Sequence, residues 1–389
     1  MIENISVQEA IALFQHQWQP QGMEVIPLEE ANTRILGDTL YAKESIPVVR
    51  ASMMDGIAIK GDNYTKDPSH WVYGKDYIRA DTGDDFSDDF DTVIAIEKVN
   101  MEDGKLSWRE DFPFEKGMNV RHRGSTIKEN TLLLEKGSRL NATALALLAM
   151  GNHGEVKVYK KPKVVFIPTG SELVGVGTKL SRGENIDSNS PMAEVLLEDF
   201  GAVPILYPIT KDDPESLRAA VKKALKEGDM VLINGGSSKG EEDFNLRILE
   251  EMGEVFFHWT QCGPGRPAAM AKIENKPVFI VPGPAYGCFN VLQWLIGPCI
   301  RYLTGAQEPY YYKVKAKLKE SVQAPTHFQF LLGAQVERNE EGDLLVNLLS
   351  FKKNGVPDCL KANGFVHTKP GMNPFQAGDE IEVNLLKPV

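Results

Sequence analysis

The stretch Asp229 to Phe244, DMVLINGGSSKGEEDF, holds the residues best placed to do chemistry. An apolar run, Met230 to Ile233, breaks at Gly235 and Gly236 and passes Ser237, Ser238 and Lys239. It then meets Gly240 and enters Glu241, Glu242 and Asp243, just before a helical-looking segment from Phe244 to Met252. A strand, a flexible polar turn and a helix start in that order suit an anionic ligand. Glycine lets the backbone approach closely, and the free N–H groups at a helix N-terminus carry partial positive charge. The acidic residues have two uses open to them: favouring the helix start through the macrodipole, or holding a divalent cation against a phosphate. For one such turn, a plain helix start is the simpler reading. Two more turns of the same kind, PTGSEL at Pro168–Leu173 and PGPAYG at Pro282–Gly287, shift the balance towards a ligand site.

The elements that must position these turns alternate from Lys163 to Leu303. Strands are expected at Val164–Ile167, Val203–Tyr207, Met230–Ile233 and Pro277–Val281. Helices are expected at Pro191–Phe200, at Pro214–Lys226 with Asp212 or Asp213 as N-cap, after the central turn, and at Cys288–Leu303. Such alternation predicts a parallel sheet covered on both faces, with ligands outside the carboxyl ends of its strands.

Upstream, Ser6-Val7-Gln8-Glu9 reads as a capping box opening a helix, and a second short helix is expected at Leu28–Ile35. From Tyr41 to about Leu140, short β runs (Gly56–Lys60, Thr92–Val99, Thr131–Leu134) alternate with Gly, Asp and Asn turns, as in an irregular β insert. Leu140–Met150 returns to helix, capped by Asn141 or Thr143. The tail, Glu308–Val389, reads as all-β, a barrel or sandwich.

Composition narrows the classes. A chain of 389 residues exceeds one core, and roughly two to four domains are expected. A net charge of −11 argues against a non-specific grip on nucleic acid, but not against a locally positive site for a small anion. No apolar run approaches the ~20 residues of a membrane span, and no signal-peptide pattern opens the chain. Cys262, Cys288, Cys299 and Cys359 lack metal-finger spacing and read as free thiols in a reducing cytoplasm. His122, His153, His258 and His367 are scattered. No GxGxxG follows the first strand and no GxxxxGK[ST] loop is present, which leaves a dehydrogenase or P-loop reading unsupported. The lysines at Lys161–Lys163 and Lys313–Lys319 are most simply solvated faces.

A set of motifs in fixed order then carries a resemblance. SMMDGIAI at Ser52–Ile59 resembles the SAMDGYA segment of the MoeA family, the molybdopterin molybdenumtransferases, to which the gephyrin E domain is homologous. Asp81–Val99 and Asn119–Ile127 resemble its TGA…AVV and NIR…GED blocks, and IPTGSEL, IDSNSPM, TKDDPESL, GGSSKGEEDF, KANGF and AGDEIEV follow in family order.

The resemblance implies a multidomain α/β chain with four parts. These are a discontinuous linker domain (1–46 with 140–162), an inserted irregular β domain (47–139), a MogA-like three-layer molybdopterin-binding domain (163–306) and a C-terminal β-barrel (307–389). It implies a cytoplasmic homodimer whose site lies between the sheet domain and the partner's β insert. There, adenylated molybdopterin, molybdate and Mg2+ react with release of AMP, and other proteins of molybdenum cofactor biosynthesis are potential partners. Carried onto this sequence, the catalytic candidates are Asp55, Thr82, Glu172 and Asp243, with Asp212 and Asp243 as metal ligands. The binding candidates are Gly170, Ser171, Asp187, Ser188, Asn189, Gly235, Gly236, Ser237, Ser238, Gly240, Arg266, Pro282 and Gly283.

The chain also departs from the family pattern. Trp259 and Gly263 stand where lysines are usual, leaving Arg266 as the cation of that segment, and charge-assisted bonds are worth ~1.5–3 kcal/mol each. Ser125-Thr126 replaces an acidic pair, the PGNP turn is PGPAYG, and Asp358 stands near a usual serine. Lys239 is an added charge in the central loop. Two readings follow: a molybdenum insertase, or a paralogue that keeps the fold and binds molybdopterin, a nucleotide or a protein partner without metal insertion.

Overall fold

The computed structural model describes residues 1–235, 244–307, 311–323, 327–371, 375–387 and 389. The chain forms two compact units, Met1–Glu24 with Tyr159–Val389, and Val25–Val158. The first unit opens with a strand, β1 (Ile2–Ile5), and a helix, α1 (Val7–Gln17). The helix starts on the expected capping box: Glu9 N–H donates to Ser6 Oγ at 3.2 Å, and Ser6 N–H donates to Glu9 Oε2 at 3.1 Å.

In the second unit, an antiparallel sheet of β2 (Gly56–Ile59), β3 (Tyr77–Ala80) and β4 (Thr92–Ala95) has β2 at its centre. Gly56 is required there, because a Cβ would sit 2.0 Å from the Ile94 carbonyl oxygen. Helix α2 (Ala142–Met150) is capped by Asn141 Oδ1, which accepts from Ala144 N–H. The helix expected at Leu28–Ile35 does not form. Only one 3-10 turn, Leu28–Glu30, is present, and Thr33 takes a left-handed conformation with φ +67° that ends any helical continuation.

From Lys163 the expected alternation is found. β5 (Lys163–Pro168), α3 (Asn189–Asp199), β6 (Val203–Leu206), α4 (Pro214–Glu227), β7 (Met230–Asn234) and α5 (Phe244–Met252) come first. They are followed by β8 (Glu254–Thr260), the short β9 (Cys262–Gly263), β10 (Ala269–Ile273) and β11 (Lys276–Val281). The seven-stranded sheet has the order β1-β8-β10-β11-β7-β5-β6. It is mixed rather than parallel throughout, because β10 runs against both neighbours as one arm of two hairpins.

Side chains alternate across the sheet with period two. Val164, Phe166, Leu232 and Phe279 face a core shared with α1 and α3, while Val165, Ile167, Val231 and Ile280 face one shared with α4 and α5. Each fully buried side chain of this kind is worth ~1.5–3 kcal/mol, so both layers are firmly held. The last helical segment begins at Ala285, three residues before the expected start, and changes pitch midway: α6 (Ala285–Val291), a π turn (Leu292–Ile296) and α7 (Gly297–Leu303).

The C-terminal region forms a closed five-stranded barrel from β12 (Tyr312–Leu318), β13 (Gln329–Arg338), β14 (Leu344–Leu349), β15 (Gly364–His367) and β16 (Glu380–Leu385), closed by pairing of β13 with β15. It is not all-β: two short helices, α8 (Phe351–Asn354) and α9 (Val356–Lys361), sit between β14 and β15. Strand β9 adds to β13, so the barrel is stitched to the sheet's hairpin loop. All four cysteines are buried free thiols. Among the described residues, no helix is long and apolar enough to cross a membrane.

Candidate active site

Strands β5, β7 and β11 are adjacent and parallel, so the segments after them meet at one rim of the sheet. Backbone bonds begin the joining. Thr169 N–H donates to the Asn234 carbonyl at 2.8 Å, and Gly235 N–H to the Val281 carbonyl at 3.1 Å. Side-chain amides complete it. Asn234 Nδ2 donates to the Pro282 carbonyl at 2.7 Å, and Asn189 Nδ2 reaches both Asn234 Oδ1 at 3.0 Å and the Gly283 carbonyl at 2.7 Å. Asn245 Nδ2 holds the Gly235 carbonyl at 2.9 Å. Asn189, Asn234 and Asn245 are buried. Buried amides with this many partners fix loop geometry, because breaking one leaves others unsatisfied. Gly235 must be glycine: its φ is +136°, and a Cβ would lie 2.3 Å from Thr169 Oγ1.

The predicted residues fall into distinct roles on this frame. Asp213 is the N-cap of α4, accepting from Ser216 N–H at 2.8 Å, which frees the exposed Asp212 from capping. Asp212 and Ser171 bind each other instead: Ser171 N–H donates to Asp212 Oδ2 at 3.2 Å, and Asp212 N–H to Ser171 Oγ at 3.3 Å. Glu172 is exposed, with its carboxylate folded back over Gly170, where a Cβ would meet Glu172 Oε1 at 2.9 Å. The rim therefore places Asp212 against Ser171 and the Glu172 carboxylate over Gly170.

Asp187 is 8% exposed and starts α3, accepting from Asn189 N–H at 3.1 Å and from Ser190 N–H at 3.0 Å. Ser188 is exposed, with no cap bond of its own. Pro282 is buried and Gly283 exposed on the third loop. Gly236, Ser237, Ser238, Gly240 and Asp243, like Lys239, lie outside the described residues.

Arg266 is engaged by its own hairpin, by β1 and by Phe328. Its Nε donates to the Thr260 carbonyl at 3.2 Å and its Nη2 to Asn4 Oδ1 at 2.9 Å, while its guanidinium packs over the rings of Trp259 and Phe328. The missing lysine at Gly263 also has a packing cause. Gly263 is buried in β9, and a Cβ there would lie 3.1 Å from the rings of both Phe328 and Phe330. Asp358, the added carboxylate, faces Lys361 at 3.7 Å.

In the second unit, Asp55 and Thr82 are brought together. Asp55 Oδ1 accepts from Thr82 N–H at 2.7 Å, and Ile96 N–H donates to the Asp55 carbonyl at 2.7 Å. The backbone N–H of Thr82, then its hydroxyl, hold the Asp55 carboxyl below the usual aspartate value. Asp55 is thus an exposed, fixed anion on a tied turn.

Asn234 and Asn245 escaped the sequence reading. Each follows or precedes a loop as an ordinary polar residue, and only the register of β7 against β5 and β11 shows that Asn234 joins three loops. The signal available was its place as the polar end of an apolar run.

The chain matches two families, "MoeA N-terminal region (domain I and II)" over residues 5–151 and "Probable molybdopterin binding domain" over residues 166–302. It is 29% identical to a molybdopterin molybdenumtransferase of Staphylococcus aureus (strain COL), over 98% of this chain and 95% of that protein. It is 28% identical to the protein of that name in Staphylococcus epidermidis, over the same shares. The crystal structure of a molybdopterin biosynthesis MoeA protein from Pyrococcus horikoshii covers 99% of this chain and all of its own, at 28% identity and a TM-score of 0.82. Two matched regions that together span most of the chain, full-length relatives and a shared fold of mixed sheet, small β modules and five-stranded barrel lead to one conclusion: the chain belongs to the MoeA family of molybdopterin molybdenumtransferases.

Proposed function

We propose that this chain transfers molybdenum from molybdate to molybdopterin presented as its adenylate, releasing AMP, and that Glu172 and Asp212 organise the reaction at the rim of the sheet. The observation that carries this reading is the Ser171–Asp212 pair, which leaves two carboxylates on a turn tied by backbone bonds from Thr169 N–H to the Asn234 carbonyl and from Gly170 N–H to the Thr210 carbonyl. Among the described residues, no three acidic, His or Cys side chains converge on one point. Mg2+ needs no such cage, since it keeps several waters and takes one or two carboxylates plus substrate phosphate oxygens. Asp212, with Asp243, fits as its protein ligand. When bound, the ion neutralises phosphate and molybdate charge. Asp55 and Thr82, supplied by the partner of a homodimer, form the opposite wall, with Asp55 as a fixed anion.

A second reading, binding without metal transfer, is favoured by one observation. The cation of the 258–267 segment, Arg266, is spent on Thr260 and Asn4, and a side chain at Gly263 would crowd the rings of Phe328 and Phe330. AMP release from adenylated molybdopterin with molybdate and Mg2+ separates the two readings. Turnover that is lost in Asp212→Ala and Glu172→Ala supports the first. Tight pterin binding with no AMP formed supports the second. Mixing Asp55→Ala and Asp212→Ala protomers tests the shared site, because heterodimers with one intact site regain activity only if the two residues come from different subunits.

A further inference from the structure

Trp259 stands in a left-handed backbone conformation, with φ +70°. Glycine adopts that conformation without strain, whereas for a bulky side chain it is a genuine outlier. It occurs where the hairpin ladder of β8 and β10 breaks. His258 is opposite Ala269, but Trp259 N–H donates to the Ala268 carbonyl at 2.9 Å and Thr260 N–H to the Arg266 carbonyl at 2.8 Å. A break of this kind re-aims a side chain, and such breaks are frequent beside active sites. The indole is half-buried and backed by a cation, since the Arg266 guanidinium packs over it at 5.4 Å from the ring centroid.

The register carries Trp259 to the rim. His258, Ala269, Ile280, Ile233 and Ile167 lie in one row across the sheet. β8 runs parallel to β11, because both run against β10. Trp259 therefore follows His258 on the side of the sheet where Val281, Asn234 and Pro168 end their strands. The hairpin loop also meets the helix that follows the Pro282–Gly283 loop: a Cβ at Gly265 would lie 2.8 Å from the Gly287 carbonyl oxygen. Strand order puts four spacings between β8 and β5, so their ends stand roughly 19 Å apart along the rim.

We propose that Trp259 is the stacking platform for a fused nitrogen heterocycle of the substrate, a purine or a pterin, at the end of the rim away from Asp212. This rests on the adenylate reading above, in which two flat rings are joined through phosphate. The phosphate belongs with the carboxylates near Asp212, and a ring needs an aromatic face. An indole binds either heterocycle through its π-face, and the guanidinium behind it holds it in place. The left-handed backbone takes the side chain out of the strand's alternation, which is what a platform at a strand end requires.

Calorimetric titration of the full chain with AMP and Mg2+ and, separately, with neopterin tests it. At least one probe is expected to bind the parent, to weaken about tenfold or more in Trp259→Leu, and to lose no more than about threefold in Trp259→Phe. The probe that responds identifies the ring. Leucine keeps an apolar side chain on the same backbone, so the two variants separate stacking from packing. Failure of both probes to bind the parent, a loss below about tenfold in Trp259→Leu, or an equal loss in Trp259→Phe overturns the platform. AMP release by the parent is followed alongside. Turnover with unchanged probe affinity in Trp259→Leu overturns the platform and leaves the reaction standing. Ring binding lost in Trp259→Leu and kept in Trp259→Phe, without turnover in the parent, keeps the platform and removes the reaction.

Discussion

Asn189 and Asn234 meet through a buried amide–amide hydrogen bond, Nδ2 to Oδ1 at 3.0 Å, and each amide also grips the loop after β11. One end of α3 and the ends of β7 and β11 are thereby held as a unit. Asn234→Ala removes the acceptor of one bond and the donor of another, leaving the Pro282 carbonyl and an Asn189 N–H unpaired. Urea unfolding is expected to show a loss of ~1–3 kcal/mol. Transfer activity is expected to fall further than the remaining folded fraction explains.

Gly235→Ala places a methyl 2.3 Å from Thr169 Oγ1 and 2.6 Å from the Thr169 carbonyl oxygen, at a φ of +136°. Removing the hydroxyl with Thr169→Ala cannot clear the carbonyl, so the double variant is not rescued. A destabilisation of ~1–3 kcal/mol is expected by thermal or urea unfolding. Recovery of stability in the double variant would show that the side chain alone was the obstacle.

The Asp55 carboxyl is held down first by the Thr82 N–H and then by the Thr82 hydroxyl. A folded-state value below the unfolded one means the interaction is complete above the ordinary aspartate range. It is lost as pH falls through the lowered value. A 13C titration of the Asp55 side chain is expected to inflect below that of an unstructured aspartate. Thr82→Ala removes the hydroxyl and keeps the N–H, so most of the depression should survive. An ordinary aspartate inflection in the parent chain would contradict the fixed-anion role.

His367 in β15 has a buried Nε2 without a hydrogen-bond partner, and burial lowers its pKa to about 4. The neutral ring therefore supports the fold fully above pH ~6.5, and that support is lost as pH falls towards about 4. The loss is on the order of 3 kcal/mol at the low end. His367→Phe is expected to flatten the stability profile across that window in chemical unfolding at stepped pH.

The sequence exposed those parts of the fold whose signal is local. Ser6 and Glu9 spell a capping box, and the apolar runs at Val164, Met230 and Val278 are too continuous for anything but buried strands. It concealed parts set by distant partners. β1 is exposed at three of its four positions and shows no pattern of its own, because only pairing with β8 makes it a strand. The reversed β10 escaped because a hairpin partner, not its composition, sets a strand's direction.

Leu28, Ala31 and Ile35 have helical spacing, yet the left-handed Thr33 between them overrides it. At the site, Ser171 and Glu172 are legible as part of a polar turn, whereas Asp212 reads as a helix cap and joins them only through the family resemblance. The allocation of Asp213 rather than Asp212 to capping is not legible, since both precede Pro214 and only geometry separates them.

The pairing of Ile2–Ile5 with Phe257–Thr260 has a consequence for how the protein is made. Ile2–Ile5 can find their sheet neighbour only after the long segment between the two strands has left the ribosome. Non-local pairing of this kind slows assembly. Until then Ile5 and Phe14, both buried in the finished molecule, remain open to solvent, and the nascent chain has to be shielded from wrong associations through much of its synthesis.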